Sequence, residues 1–431
     1  MSASLNERPA GRPAARGGTV SVLDIGSSKM CCMIARVRPR AERGDTTGRT
    51  HDVEVLGVGH QRTRGVRAGA IVDVAGAEVA IRQVVETAER TSGLTVGSLI
   101  VNVSSTSARS ERHAASVDVG GDEVEAADVS RAVRAALRGT ARPGRTVLHS
   151  IPSGFSVDGE DEVASPDGMI GRELAVTCHV ASVADGPVGN VERAVNRAHL
   201  DVASLVSTPY AAALAAAVED ETEMGCAVID MGAGTTSWSI HARGRFLGGE
   251  TLAVGGHHVT TDLARGLSTS VDAAERLKVL EASVAGGPPC DEAVPVRGMG
   301  DEGSAAVARV PRALVSRIAI ARLEETFELV RDRIRLSGLG READRRVVLT
   351  GGAAQLTGTA DVARRVLARN VRVGRPVGVS GLAPVQKTPA FSTAVGLLIY
   401  PQVARFEHRA DRSLLPADGR LARLGQWFRG F

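Results

Sequence analysis

Aromatic residues are scarce: Phe, Trp and Tyr make up only 3% of the 431 residues. A core of ordinary density must therefore come from Val, Leu, Ile and Ala. Lysine is almost missing, with only Lys29, Lys278 and Lys387, and none of the three follows a glycine. That excludes a P-loop, which places Gly-Lys at the mouth of a helix. The 5 Cys include adjacent Cys31 and Cys32, but no CxxC pair occurs and no His/Cys cluster has zinc spacing. This argues against a disulfide framework or zinc site and for reduced thiols in a cytosolic compartment. No stretch approaches the roughly 18 apolar residues of a membrane-crossing helix. Charge of one sign is lacking too: a formal net charge of +3 leaves no footprint for nucleic acid. What remains, 43% hydrophobic and 23% charged, is ordinary for a soluble globular protein long enough for two large domains. Residues 1–18, rich in Arg, Pro and Gly without an apolar centre, read as a disordered tail and not a secretory signal.

Against this plain background two glycine-bearing turns stand out. Leu23-Asp24-Ile25-Gly26-Ser27-Ser28-Lys29 lies between apolar strands at 19–23 and 30–37. Ile229-Asp230-Met231-Gly232-Ala233-Gly234-Thr235-Thr236 repeats the form later in the chain. Glycine at such a turn lets backbone N–H groups approach phosphate oxygens. The hydroxyls of Ser27, Thr235 and Thr236 add donors. Asp24 and Asp230 suit Mg²⁺ held through water, because Mg²⁺ keeps waters and is gripped by few carboxylates. One Asp-x-Gly turn alone is an ordinary hairpin; two of them, each between strands, point to a nucleotide, ATP, closed between two loops. A Rossmann fingerprint fits poorly, because both turns lead into strands where that fold needs a helix N-terminus.

A third element, Val347-Val348-Leu349-Thr350-Gly351-Gly352-Ala353-Ala354, ends a strand in two glycines against which a flat base can lie; an ordinary strand-to-helix turn has the same pattern. Glu275 and Lys278 share one face of a helix expected over 271–280, placed to hydrogen-bond a ribose or to form a solvated ion pair. Further helices are expected at 77–91, 128–138, 189–199, 209–219, 259–266 and 312–336. Strands are expected at 53–60, 99–103, 174–183 and 346–350, and a loop over 286–306.

Together these motifs resemble the actin/Hsp70/sugar-kinase superfamily and, more closely, the FtsA family of bacterial cell-division proteins. Arg64-Gly65-Val66-Arg67-Ala68-Gly69-Ala70-Ile71-Val72-Asp73 resembles the entry to that family's inserted domain, and Val147-Leu148-His149-Ser150-Ile151-Pro152 the return from it. Ser392-Thr393-Ala394-Val395-Gly396-Leu397-Leu398 is similar to the closing helix. The resemblance implies an α/β, actin-like two-lobed (ribonuclease-H-like) fold with a small inserted α+β (1C, SHS2) domain. Its subdomains would be 1A at 19–66 and 146–203, the insert at 67–145, 2A at 204–254 and 345–401, and 2B at 255–344. A linker at 402–418 and a helix at 419–431 would follow.

The implied nucleotide set is Asp24, Gly26, Ser27, Ser28, Lys29, Asp230, Gly232, Gly234, Thr235 and Thr236 around phosphate and Mg²⁺. Glu275, Lys278, Gly351, Gly352 and Ala353 would stand on the adenosine side. The resemblance further implies self-association into filaments, recruitment of other division proteins through the insert, and binding of the FtsZ C-terminal tail near Arg312, Arg317 and Arg322. A solvated Arg-rich helix face reads the same at those three positions. One departure bears on turnover. Where chaperone-like relatives carry a Glu that positions the hydrolytic water, this chain has Thr208, and a Thr is no carboxylate base. No catalytic residue is assigned, and hydrolysis is expected to be slow at most.

The last residues regain apolar character. At about 100° per residue, Leu421, Leu424, Trp427, Phe428 and Phe431 fall within an arc of roughly 120°, with Arg423 and Arg429 outside it. That pattern suits a helix lying in a membrane interface, or one docked on its own domain or a partner; the resemblance implies that the membrane would be the inner one, met on its cytoplasmic face at the septum. Two other readings stay open: an actin-like assembly protein of another envelope machine such as the type IV pilus, and a small-molecule kinase of the same superfamily.

Overall fold

The computed structural model describes residues 18–40, 49–163, 165–284, 292–298, 308–343, 346–404 and 407. The amphipathic segment at 421–431 and most of the expected linker lie outside the described residues.

The first lobe opens with a three-stranded meander, β1 (Gly18–Ile25), β2 (Lys29–Pro39) and β3 (His51–Arg62), and a short pair, β4 (Val66–Arg67) and β5 (Ala70–Ile71). Helix α1 (Val74–Ser92) then crosses to β6 (Ser98–Val103). The helix begins where the Asp73 carboxylate accepts from the Ala75 N–H, and it ends at left-handed Gly93. Its buried residues, Ala77, Ala80, Ile81, Val84, Val85 and Ala88, recur at helical spacing and face β2 and β3.

Next comes a separate sheet of β7 (Arg109–Asp118), β8 (Arg145–Val157), β9 (Glu160–Val163) and β10 (Glu173–Ala184), in the order β7-β10-β8-β9. Helix α2 (Ala126–Ala136) covers it, and a core of its own forms around Val124, Val133, Leu174 and Val176. Helix α3 (Asp185–Arg197) and β11 (Asp201–Ser207) return to the first sheet, whose order is β11-β6-β1-β2-β3. Two helices, α4 (Thr208–Ala216) and the short α5 (Glu219–Met224), lead on to the second lobe.

That lobe repeats the scheme: a meander of β12 (Cys226–Met231), β13 (Thr236–Ala242) and β14 (Arg245–Leu252), then helices α6 (Gly256–Gly266) and α7 (Val271–Leu280). A strand pair, β15 (Ala293–Val296) and β16 (Ala308–Pro311), and the long α8 (Arg312–Leu336) precede β17 (Arg346–Thr350), α9 (Thr359–Leu367) and β18 (Asn370–Val373). The sheet order, β14-β13-β12-β17-β18, matches the first lobe strand for strand. In both sheets the meander is antiparallel and the last two strands run parallel to the first. Parallel pairing demands a crossover, and this is where helices and inserts accumulate. Helix α10 (Ser392–Val403) and α4 are apolar all round and buried between the sheets, as expected of central helices.

Several expectations need correction. The insert is not 67–145. Residues 74–103 form the α1–β6 crossover of the first sheet, whereas β8 and β10, expected in the first lobe, build the second sheet. Strand β7 had no expectation at all: Arg-Ser-Glu-Arg-His-Ala-Ala-Ser-Val-Asp has little apolar signal, and it becomes a strand by pairing along β10 from Ser182 to Glu173. The expected loop over 286–306 contains β15. Helix 209–219 breaks at extended Ala217 into α4 and α5. Residue 18 is already strand, and the expected linker starts too early, because Gln402 is buried in α10 and accepts from the Thr50 and His51 N–H groups.

Candidate functional site

Each lobe carries the same four-residue turn at the head of its first hairpin. The Gly26 N–H donates to the Lys29 carbonyl (3.1 Å), and the Gly232 N–H donates to the Thr235 carbonyl (2.8 Å). The flanking pairs, Ile25 with Met30 and Met231 with Thr236, correspond as well. The turns meet at a cavity of about 500 Å³, within the usual size of a small-molecule site.

Asp24, Gly26, Ser27, Ser28, Lys29, Asp230, Gly232, Thr235, Glu275, Lys278, Gly351, Gly352 and Ala353 all line this cavity. Gly234 stands where the loops touch. A Cβ there would lie 2.5 Å from Ser27 Oγ and 3.0 Å from Ala68 Cα, so only glycine permits the approach. Thr236 is a correction: it is fully buried in β13 and does not line the cleft, because successive strand residues point to opposite faces.

The loops are held from behind. The Thr63 hydroxyl donates to the Gly26 carbonyl (2.8 Å), and Ser27 Oγ accepts from the Gly69 N–H (2.9 Å). Ser104 of the first lobe and Thr235 of the second share a hydroxyl–hydroxyl hydrogen bond (3.2 Å) that closes the polar end of the cleft.

Burial dominates the electrostatics here. It pushes the Asp24 carboxyl up to about 7, with Lys29 opposing the rise and Asp230 adding to it. Burial likewise pushes Asp230 up to about 6, against a hydrogen bond from the Thr393 hydroxyl (3.2 Å) and the Lys29 charge. Burial lowers Lys29, whose ammonium donates to the Ala390 carbonyl (2.5 Å) and lies over the Phe391 ring, 3.3 Å from its centre. Two carboxylates this reluctant to ionise without a cation suit Mg²⁺ with its waters. Among the described residues no group of three or more His, Cys, Asp or Glu side chains is placed to hold a metal ion.

The opposite end is less polar, lined by Val259, Val279, Leu323 and Leu356. Glu275 and Lys278 form a closed knot at its rim. Lys278 donates to Glu275 (2.7 Å), to the Thr260 hydroxyl (3.0 Å) and to the Gly256 carbonyl (3.2 Å), and Thr260 donates to Glu275 (2.5 Å). The cleft is thus polar at two backbone loops and apolar at the far end, which matches the phosphate-to-base gradient of a nucleotide.

Among the lining residues that escaped the sequence reading as site residues are Asn102, Ser104, Thr208 as a ligand-side group, and Thr393. Asn102 accepts from the Ile25 N–H (2.7 Å) and donates to Thr208 Oγ1 (3.1 Å). A polar residue inside an otherwise apolar strand, Leu99-Ile100-Val101-Asn102-Val103, was the available signal.

The three arginines expected to face a partner differ. Arg312 is ion-paired with Glu281 (2.5 Å) and Glu292 (2.7 Å). Arg322 bridges Asp262 of α6 (2.5 Å) and Glu325 (2.6 Å). Only Arg317 of the three is exposed. Two of the expected charges are therefore already met within the chain.

Comparison with known proteins fits this architecture. The family pattern described as "Cell division protein FtsA" matches residues 227–396, and that described as "SHS2 domain inserted in FTSA" matches residues 106–182, the span of the second sheet. "Cell division protein FtsA" of Rhizobium meliloti (strain 1021) is 51% identical over 97% of this chain and 96% of its own length. Among solved structures, the "PilM-PilN type IV pilus biogenesis complex" superposes with a TM-score of 0.59 at 16% identity, over 89% of this chain and 98% of that one. MreB5 of Spiroplasma citri does so with a TM-score of 0.52 at 11% identity, over 93% and 99%. The low identities of these two report a shared actin-like fold and nothing finer. With a relative half identical along nearly its whole length and the insert in its expected family form, the chain belongs to the FtsA family of cell-division proteins.

Proposed function

We propose that this chain is an ATP-binding, membrane-attached scaffold of the division septum, which polymerises, tethers filaments of FtsZ through their C-terminal tails and recruits further division proteins through its insert. The observation that carries the nucleotide part is the pair of matching glycine turns facing each other across one cleft, with Asp24, Asp230 and Lys29 between them. Backbone N–H groups of both turns would bind the phosphates, and Asp24 and Asp230 would hold Mg²⁺ through its waters. Glu275 and Lys278 would meet the ribose, with Gly351, Gly352 and Ala353 beside the base. Mg²⁺ held there would supply charge neutralisation for the phosphates. Support also comes from the Spiroplasma citri relative in fold, whose structure is described as bound to ADP.

Thr208 lines the cleft where a carboxylate base would be needed, and its hydroxyl is engaged by Asn102. Holding the nucleotide, and with it the lobe orientation that permits polymerisation, is then the main task, with slow hydrolysis secondary. On α8, Arg317 is the arginine best placed to meet a partner peptide. Membrane attachment rests on the apolar face of Leu421, Leu424, Trp427, Phe428 and Phe431 at the cytoplasmic surface of the inner membrane. One short amphipathic helix binds weakly, and a filament multiplies it by avidity.

The experiment is co-sedimentation of the full chain with anionic liposomes, with and without Mg-ATP and a peptide of the FtsZ tail. ATP-dependent assembly on liposomes that captures the peptide is expected, and Trp427→Glu with Phe428→Glu should remove it. Unchanged pelleting of that double variant, or no peptide capture by the parent, would overturn the tether reading.

A further inference from the structure

The first glycine loop is tied to the body by a chain of hydrogen bonds that ends far from the cleft. Asn102 accepts from the Ile25 N–H (2.7 Å) and donates to Thr208 Oγ1 (3.1 Å), at the start of α4. The neighbouring Ser207 gives its N–H to His149 Nε2 (2.9 Å). A ring nitrogen that accepts carries no proton, so in a neutral imidazole the proton sits on Nδ1. Nδ1 faces the Glu407 carboxylate, Oε2, at 3.1 Å, and the Tyr400 hydroxyl donates to the same oxygen (3.2 Å). The His149 ring also meets Tyr210 and Tyr400 edge-on, at 5.0 and 5.7 Å. Both tyrosines of an aromatic-poor chain are thus gathered around this one imidazole.

Each link belongs to a different part of the molecule. Asn102 is in the first sheet, Thr208 in a central helix, His149 on strand β8 of the insert, and Glu407 just beyond α10, where the chain continues toward its C-terminal segment. The side chains of His149 and Glu407 are 0% and 7% exposed, so water does not compete for these bonds. The grip is nonetheless incomplete: Glu407 Oε1 is buried and has no partner among the described residues.

We propose that His149 is a positioning residue that couples nucleotide binding in the cleft to the fastening of the chain at Glu407, so that the state of the cleft reaches the root of the C-terminal segment. The inference rests on the nucleotide reading above. A phosphate that draws on the first loop's backbone shifts the Ile25 amide. Asn102, Thr208 and the Ser207 N–H follow, and His149 must keep both its partners or release one. Such coupling is reciprocal, so fastening at Glu407 must affect nucleotide affinity by the same factor as nucleotide affects fastening.

The test uses the full chain with Mg²⁺ and a fluorescent ATP analogue, alongside hydrogen exchange of the amides of residues 402–404 and 407. Added nucleotide should change exchange at these amides about 5-fold or more, the lower range of measured site–site couplings. His149→Gln keeps an acceptor for the Ser207 N–H but loses the Nδ1 donor. It should remove the exchange response and, by the same reciprocity, shift affinity for the analogue by the factor that the parent shows in exchange. His149→Asn keeps a group near Glu407 but loses the Ser207 acceptor, and it should weaken the analogue about 5-fold. Glu407→Ala tests the same link from its far end and leaves β8 untouched, so it serves if the His149 variants fail to fold. It should shift affinity by the factor seen in exchange. If the parent binds nucleotide but exchange at 402–407 does not respond, or if Glu407→Ala and both His149 variants bind as the parent does, the coupling is wrong. If the parent binds no nucleotide, the reading beneath it fails instead.

Discussion

The two lobes share one five-stranded plan and one Asp-x-Gly turn, yet they differ in the side chains that surround it. In the first lobe the turn carries Ser27 and Lys29; in the second, Gly234 and Thr235. On the parallel strand, just past the Leu23–Val101 pair, Asn102 accepts from the Ile25 N–H. Beside Asp230 the neighbour is Thr350, whose hydroxyl meets Ser392 (2.7 Å) and the Gly374 carbonyl (3.1 Å) instead. The first lobe thus secures its loop, while the second secures the central helix α10. Decoration differs too: the insert occupies the β6-to-β11 crossover in one lobe, and α6 to α8 occupy the β14-to-β17 crossover in the other. Topology sets where a loop stands, and a few polar side chains beneath it set what it is tied to.

The comparison breaks most severely at the helices between the lobes. Gly396 of α10 lies against α4 so closely that a Cβ would fall 1.7 Å from the Ala211 carbonyl. Gly396→Val should cost about 3 kcal/mol or more and deprive both lobes of their common support. Urea titration would show it as an early transition, and a parent-like midpoint would mean that α4 and α10 can move apart freely. Next in size, Gly234→Val should wedge the turns apart at Ser27 and lower nucleotide affinity roughly 100-fold, about 3 kcal/mol, with little change in melting. Retained affinity would show that the turns need not touch.

A smaller effect distinguishes the carboxylates by pH. Both are raised by burial, Asp24 to about 7 and Asp230 to about 6, so without cation they hold protons that the unfolded chain has already released. The nucleotide-free protein should therefore lose stability as pH rises from about 4 to about 7. Affinity for Mg-nucleotide should rise over pH 5.5 to 8, because binding expels those protons. Calorimetry in two buffers of different ionisation heat would count them, and zero release would contradict this electrostatic picture. Smallest of all, Arg322→Ala should cost about 1 kcal/mol by unclasping α6 from α8, while leaving capture of the FtsZ tail peptide intact. Lost capture with normal stability would return Arg322 to the partner surface.

Much of the architecture was legible before any coordinates. Helix α8 was read at its observed limits because Val315, Ala319, Leu323, Phe327, Val330 and Ile334 recur at helical spacing in one buried row. The glycine turns were legible because the restriction at each is local: an Asp, a strand and a residue without Cβ announce themselves in a few positions. Strand β7 was not legible, since it has no fully buried side chain and exists only through its ladder with β10. The insert boundary was misread for the same reason: β8 and β10 read correctly as strands, but nothing local says to which sheet a strand belongs.

By itself the sequence determined the periodic elements, the paired turns and the family, because these depend on residues near one another in the chain. Tertiary structure alone decided that Asn102, Ser104, Thr208 and Thr393 join the cleft, that Thr236 turns away from it, and that Arg312 and Arg322 are engaged internally. It also decided that His149 links the first loop to Glu407. Each of those outcomes depends on strand register and on crossovers between distant segments, and a hydrogen bond is lost within an ångström of misplacement.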